Sequence, residues 1–220
     1  VAENYKSLIT SDKVNSINKF AAEKVLIKDF RIADIGKEVK IISAISGEVL
    51  TEKSIGRPKC VNNNLVSDVD NDILKIAVIN RYEKKKIALG FIKNFGLKKG
   101  AIASSVAHDS HNIVVIGCSD EEMARAANMI IKSKGGLVAW SYDQHKFIPL
   151  PIAGLMTDQN GYKIASDYML LVALAKEFGS TLNDPFMTMG FMSLLVIPKL
   201  KLSDKGLFDC EKFELTTLFE

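Results

Sequence analysis

Apolar and polar positions change their spacing several times along the chain. From Val39 the pattern is β-like: Val39-Lys-Ile-Ile-Ser-Ala-Ile45, then Gly47, then Val49-Leu-Thr51. These are β-branched runs broken by Gly and Ser. Beyond the polar Asn62-Asn-Asn64, the run Ile73-Leu-Lys-Ile-Ala-Val-Ile79 reads as a strand. Glu83-Lys-Lys-Lys86 follows as a solvated turn, and Ile87-Ala-Leu-Gly-Phe-Ile92 as the return strand. Residues 34–95 are therefore expected to be antiparallel β-structure. Residues 1–33, with a short helical pattern from Ser16 to Leu26, are expected to be a connector.

The remainder alternates between the two periodicities. Ile102–Val106 and Ile113–Ile116 predict short strands around the polar bend His108-Asp-Ser-His-Asn112. A helix follows, opened by the capping box of Ser119 and Glu122. Asp120 and Glu121 sit at its positive dipole end, Lys132 and Lys134 at its negative end. Met123, Ala126, Ala127, Ile130 and Ile131 recur on one face, and Gly135-Gly136 is the expected left-handed stop. Leu137–Ser141 and Lys146–Leu150 flank Asp143-Gln-His145 as a hairpin. A second helix carries Ile164, Tyr168, Leu171, Ala175 and Phe178 on one face and stops at Gly179. After Asp184-Pro-Phe-Met187, the apolar Leu194-Leu-Val-Ile-Pro198 is expected to be a strand. The fold class is thus α+β, with antiparallel β-structure followed over 96–220 by a ferredoxin-like split βαβ domain.

Charge and composition narrow the function classes. The 220 residues carry 29 Lys+Arg against 26 Asp+Glu, a formal charge of +3, without the basic excess expected of a nucleic-acid binder. No apolar run approaches the roughly 18 residues that span a bilayer, so no membrane partner is expected. Val1-Ala-Glu-Asn-Tyr-Lys6 lacks the regions of a signal peptide. Cys60, Cys118 and Cys210 are far apart and odd in number, so neither a disulfide framework nor a CxxC knuckle is expected. A reduced, cytoplasmic, globular protein fits these features.

Few segments carry candidate chemistry. No G-x-x-x-x-G-K-[ST], G-x-G-x-x-G or H-E-x-x-H occurs. Asp68-Val-Asp70-Asn-Asp72 begins like a calcium loop, but Ile73 stands where its glycine is needed and Ile79 where its terminal Glu is needed. Asp68 and Asp70 therefore read as turn and strand-entry residues. The segment Ser104-Ser105-Val-Ala-His108-Asp109-Ser110-His111-Asn112 concentrates imidazoles, a carboxylate, hydroxyls and an amide. Such groups bind divalent metals or shuttle protons near neutral pH. A plain hairpin bend, with Asp109 and Asn112 as Asx-turns, accounts for the same residues. Two histidines three apart do not complete a four-ligand site, so the residues alone favour the bend. His145 reads as solvated. Phe186-Met187-Thr-Met-Gly-Phe191-Met192 can line a pocket for a flat ring through stacking and sulfur–π contacts. Core filling is the stronger reading, because Met is a normal gap-filler.

The run from Gly90 to Ile113, with Pro149-Leu-Pro-Ile-Ala-Gly-Leu-Met156, Asp184-Pro-Phe-Met-Thr188 and Ile197-Pro-Lys-Leu-Lys-Leu-Ser-Asp-Lys-Gly-Leu207, resembles adenine deaminase of the amidohydrolase superfamily. The matches keep their order from about residue 39 to the end. The resemblance implies a metal-dependent aminohydrolase, with manganese or iron in a (β/α)₈ barrel, that converts adenine and water to hypoxanthine and ammonia. The barrel's His-x-His ligands, later His ligands and catalytic Asp have no counterpart here. The chain therefore resembles the C-terminal portion that follows the barrel, with residues 34–95 contributing to a composite β-sandwich. It is expected to bind no metal and to be inactive without its missing N-terminal barrel. On this resemblance His108, Asp109, Ser110 and His111 are candidate lid residues over the purine. Ser104, Ser105 and Asn112 would support the loop, and Phe186 and Met187 would line a pocket. A homo-oligomer is expected as well, and the alternative is a non-catalytic oligomerisation module of the same enzyme.

Overall fold

A computed structural model describes residues 17–220, together with the paired two-residue strands β1 (Ala2–Glu3) and β2 (Lys6–Ser7). Much of the connector expected over 1–33, Ser16 included, lies outside the described residues. From Ile17 to Leu26 the chain has no helix. Its backbone groups are satisfied from elsewhere instead. Ala21 N–H donates to Arg81 O, and the Asn128 side chain both accepts from Val25 N–H and donates to Val25 O, each at 2.9 Å. A single 3-10 turn, Ile27–Phe30, follows.

Strands β3 (Val39–Ala44) and β4 (Thr51–Gly56) form a hairpin; β5 (Lys59–Val61) and β6 (Asn64–Val66) form a second, small one. Next come β7 (Ile73–Ile79), β8 (Ala88–Lys93), β9 (Ala101–Ser104) and β10 (Ile113–Gly117). Helix α1 (Asp120–Ser133) leads to the hairpin β11 (Gly136–Trp140) and β12 (His145–Pro149). The chain closes with α2 (Gly161–Glu177), α3 (Pro185–Gly190) and strands β13 (Leu200–Ser203), β14 (Gly206–Asp209) and β15 (Glu214–Leu215).

Eight strands make one sheet in the order β12-β11-β9-β10-β7-β8-β3-β4. It runs without a break across residue 95, since β7 and β8 are bonded to each other and β7 to β10. Its pairs are antiparallel except β3 with β8, which is parallel; this departs from the all-antiparallel expectation for 34–95. The crossover β10-α1-β11 joins two parallel strands with β9 antiparallel between them, a split βαβ unit whose middle strand comes from before Ile113, while β12 of the expected order lies at the sheet edge.

Strand alternation sorts side chains into two layers, because successive Cβ atoms leave opposite faces. Ala77, Ile79, Ala103, Ile113 and Val115 meet Met123, Ala126, Ala127 and Ile130 of α1. Leu74, Ile76, Ile102, Val114 and Ile116 turn the other way, toward Leu171, Ala175 and Phe178 of α2, Phe186 and Met189 of α3, and Leu200, Leu202 and Leu207 of the last hairpin. Covered on both faces, β7, β9 and β10 read as continuous apolar runs rather than alternating ones.

Three local expectations are corrected. Helix α1 ends in the left-handed conformation at Lys134 (φ 57°), one residue before Gly135, because the Lys134 and Gly135 N–H groups already close onto Ile130 and Ile131 carbonyls. Glu122 does not return to the Ser119 backbone; its carboxylate accepts from Ser119 Oγ and from Gly100 N–H, both at 2.8 Å, so it ties α1 to the entry of β9. Leu194–Pro198 is not a strand. Leu194 N–H donates to Phe191 O and Ile197 N–H to Leu194 O, so turns use the groups a ladder would need.

Candidate functional site

The bend between β9 and β10 is held from three sides. On the first, Ser104 Oγ accepts from Val106 N–H at 2.9 Å. Buried Ser105 donates to Gly154 O at 2.6 Å and accepts from Gly136 N–H at 2.9 Å, fixing the bend to the Pro149–Met156 segment. On the second, His108 N–H donates to Gly190 O at 2.9 Å, and its ring stacks on Phe191 with centroids 5.1 Å apart. Gly190 allows this approach: a Cβ there would stand 3.1 Å from Val106 O. On the third, buried Asn112 accepts from Arg81 N–H and donates to Ser110 Oγ, while the Tyr82 hydroxyl donates to Ser110 O at 2.8 Å.

Arg81 extends this support. Its guanidinium donates to Ala153 O at 2.7 Å, so with its backbone N–H on Asn112 this one residue joins the β7 exit, the polar bend and the Pro-Gly segment. His111 lies edge-on to His108 with ring centroids 5.5 Å apart, and its buried Nδ1 has no partner among the described residues. Burial first, then the His108 and Arg81 charges, holds the His111 imidazole below its ordinary value against the pull of Asp109. It is therefore neutral at pH 7.

Beside the bend lies a cavity of about 230 Å³ whose lining includes Ser104, His108, Leu155, Tyr168, Phe186 and Met187. Its α-helical wall is set by Asp184. That carboxylate caps α3, accepting from Phe186 N–H at 3.1 Å and Met187 N–H at 2.9 Å. Both its oxygens also accept from the Tyr168 hydroxyl, at 2.8 and 2.7 Å, which fastens α3 to α2. Burial and the Asp184 carboxylate push the Tyr168 phenol up, so it stays a proton donor. Phe186 is buried, whereas Met187 is exposed at the mouth. The arrangement is an apolar, partly aromatic pocket with an imidazole and two hydroxyl-bearing residues on its lining.

Four of the sequence candidates, Ser104, His108, Phe186 and Met187, thus share one cavity. Ser105 and Asn112 hold the bend from behind. Asp109 and Ser110 are exposed at its tip, and neither they nor His111 lines the cavity. Sequence reasoning missed Asp184, Tyr168 and Arg81 as site-building residues. The Asp184-Pro185 pair is itself a helix-start signature and marks α3; Tyr168 gave no signal beyond its place on a helix face. A larger cleft of about 520 Å³ between residues 22–31 and 79–89 contains none of the candidates. Two of its lysines, Lys84 and Lys85, are paired with Glu23 and Glu83.

Among the described residues no three His, Cys, Asp or Glu side chains stand close enough to hold a metal ion. The described residues do not fit a metal centre. In the segment that begins like a calcium loop, the Asp68 carboxylate accepts from Asn71 and the Asp72 carboxylate from Asn94 and Gly96 N–H, all structural contacts.

Residues 48–214 match the family described as Adenine deaminase C-terminal domain. An adenine deaminase of Methanosarcina mazei is 45% identical over 231 residues, covering 100% of this chain and 42% of the relative. One of Borreliella burgdorferi is 46% identical over 199 residues, covering 90% and 36%. One of Methanothermobacter thermautotrophicus is 46% identical over 182 residues, covering 83% and 34%. The chain spans about two fifths of the length of these relatives and corresponds to their C-terminal portion. It belongs to the adenine deaminase C-terminal domain family.

Proposed function

We propose, starting from that family membership, that this chain is the lid and scaffold portion of a metal-dependent adenine aminohydrolase. The reaction is adenine plus water to hypoxanthine plus ammonia, and the names of the relatives support it. A metal, manganese or iron, belongs with the polypeptide that precedes this portion in the longer protein and supplies the hydrolytic nucleophile there. Residues of this chain cover and orient the purine. A cytoplasmic setting and a homo-oligomeric assembly complete the reading.

The observation that carries it is the convergence of His108, Phe186 and Met187 on one open cavity from segments almost eighty residues apart in sequence. Flat aromatic and sulfur surfaces suit a purine face. At the exposed tip, the Asp109 carboxylate can accept from the exocyclic amino group. Neutral, half-buried His111 can exchange a hydrogen bond with a ring nitrogen through Nε2, its Nδ1 being buried and out of reach. Ser105, Asn112 and Arg81 position the bend without touching the ligand. Closing such a wall over the site also excludes water from the reacting carbon.

The test uses the complete enzyme, barrel included, carrying His108→Ala, Asp109→Asn or His111→Ala. The expected result is a loss of more than about tenfold in kcat/KM for adenine, roughly 1.4 kcal/mol, in at least two of the three. Smaller losses throughout refute a role for the bend at the substrate. The isolated chain should neither bind adenine nor release ammonia from it.

A further inference from the structure

The cleft between residues 22–31 and 79–89 is cationic on both walls. Lys24, Lys28 and Arg31 line it from one side and Lys84, Lys85 and Lys86 from the other, all exposed, against the three carboxylates Glu23, Asp29 and Glu83. This one concavity therefore holds the whole of the chain's net charge of +3, and the remaining charges balance. Its carboxylates are already engaged. Glu23 pairs with Lys84 and Glu83 with Lys85, while Asp29 accepts from Leu26 N–H at 2.8 Å. Lys24, Lys28, Arg31 and Lys86 have no acidic partner among the described residues. Elsewhere opposite signs meet, as where Lys146 and Lys163 share Asp167. Like charges on facing walls repel one another, and low-dielectric walls focus their field on an incoming anion.

Three features narrow the anion. The most buried residues of the lining, Val25, Ile79 and Ile87, are apolar, with half-buried Leu89 beside them and Leu26 exposed at the lip. A flat organic group is covered there, as in most small-molecule sites. The walls are also fixed before a ligand arrives: Asn128 holds both backbone groups of Val25, and Ala21 and Ala22 N–H donate to Arg81 O. Little ordering then opposes binding. Finally, about 520 Å³ suits a small molecule, and the balanced charge outside the cleft leaves no basic stripe for a nucleic acid. We propose that this cleft binds a nucleoside diphosphate, its phosphates between the two cationic walls and its base against the apolar lining. Such a ligand brings about three negative charges at neutral pH, which matches the excess in the cleft. The site shares no lining residue with the cavity beside the polar bend, and the proposal stands independently of the deaminase reading.

Calorimetric titration of the complete enzyme with ADP at about 50 mM salt is expected to give a Kd below about 200 µM. Lys28→Glu and Lys86→Glu, one on each wall, should each weaken binding by about tenfold or more and leave kcat/KM for adenine unchanged. Lys132→Glu, exposed on α1, alters the overall charge equally and should change the affinity by less than about twofold. Pyrophosphate, which lacks the base, should bind at least about fivefold more weakly than ADP. No binding of ADP at about 1 mM, equal affinities in the three variants, or pyrophosphate binding as tight as that of ADP each overturns the proposal. So does ADP binding by the 220-residue chain but not by the complete enzyme, since the preceding polypeptide would then fill the cleft.

Discussion

Asp184→Ala tests how the cavity wall is held, and its cost can be assembled from the contacts. The carboxylate makes two kinds of bond. As the N-cap of α3 it satisfies Phe186 and Met187 N–H groups, a contribution of about 1 kcal/mol. As acceptor for the half-buried Tyr168 hydroxyl, it makes a charge-assisted bond of about 1.5 kcal/mol, the lower end of the range because the pair is partly solvated. The sum is about 2.5 kcal/mol. Tyr168→Phe removes only the second contribution, about 1.5 kcal/mol. Because the two residues share that bond, the double variant should cost about 2.5 kcal/mol rather than about 4, a coupling of about 1.5 kcal/mol. Urea unfolding of the four proteins, at equal m-values, measures each corner of this cycle. A coupling below about 0.5 kcal/mol would show that α2 and α3 are held together by apolar packing alone, and would refute the clamp.

Two further outcomes follow from buried polar groups elsewhere. Lys201 is fully buried, donates among the described residues only to Val49 O at 2.7 Å, and is driven down to about 8 by burial. Its folded pKa lies below its unfolded value, so stability from this group rises as pH climbs from about 8 toward 10.5 and is lost as pH falls through 8. Lys201→Met should therefore gain about 1–2 kcal/mol at pH 7 and lack that rise; urea midpoints at pH 7 and 9.5 decide it, and a loss of stability at pH 7 contradicts the sign. Ser105→Ala leaves Gly136 N–H unpaired in the interior and frees Gly154 O. About 2 kcal/mol of stability should go with it, together with faster amide exchange along Leu150–Met156; protection unchanged there would separate Ser105 from the support of the bend.

How far the sequence reached depends on the range of the forces involved. Helix α1 was legible because every signal for it is local: the Ser119 cap, the acidic first turn and the 3.6-residue spacing of Met123, Ala126, Ala127 and Ile130. The short strands from Ile73 to Ile116 were legible from β-branched runs alone. The polar bend and the Phe-Met cluster stood out by composition, and both border the cavity. Their adjacency was not legible, since it depends on α3 lying against the end of β9 through the Gly190–His108 bond. The Tyr168–Asp184 clamp likewise joins two helices whose relative placement no local pattern encodes.

Local patterns marked α1, α2, the strands from Ile73 to Ile116 and the clusters of reactive groups, but they set a strand at Leu194–Pro198 where turns stand and missed the one at Leu200–Ser203. Tertiary structure alone decided the order of the eight strands, the parallel pairing of β3 with β8, and the two-sided burial of β7, β9 and β10. It also decided that α1 stops at Lys134 rather than Gly135, and that Glu122 reaches Gly100 instead of closing its own capping box. The physical reason is the same throughout. Periodicity and capping are set by neighbours within about four residues, whereas strand order, cavity shape and buried charge pairs are settled by which distant surfaces exclude water from each other.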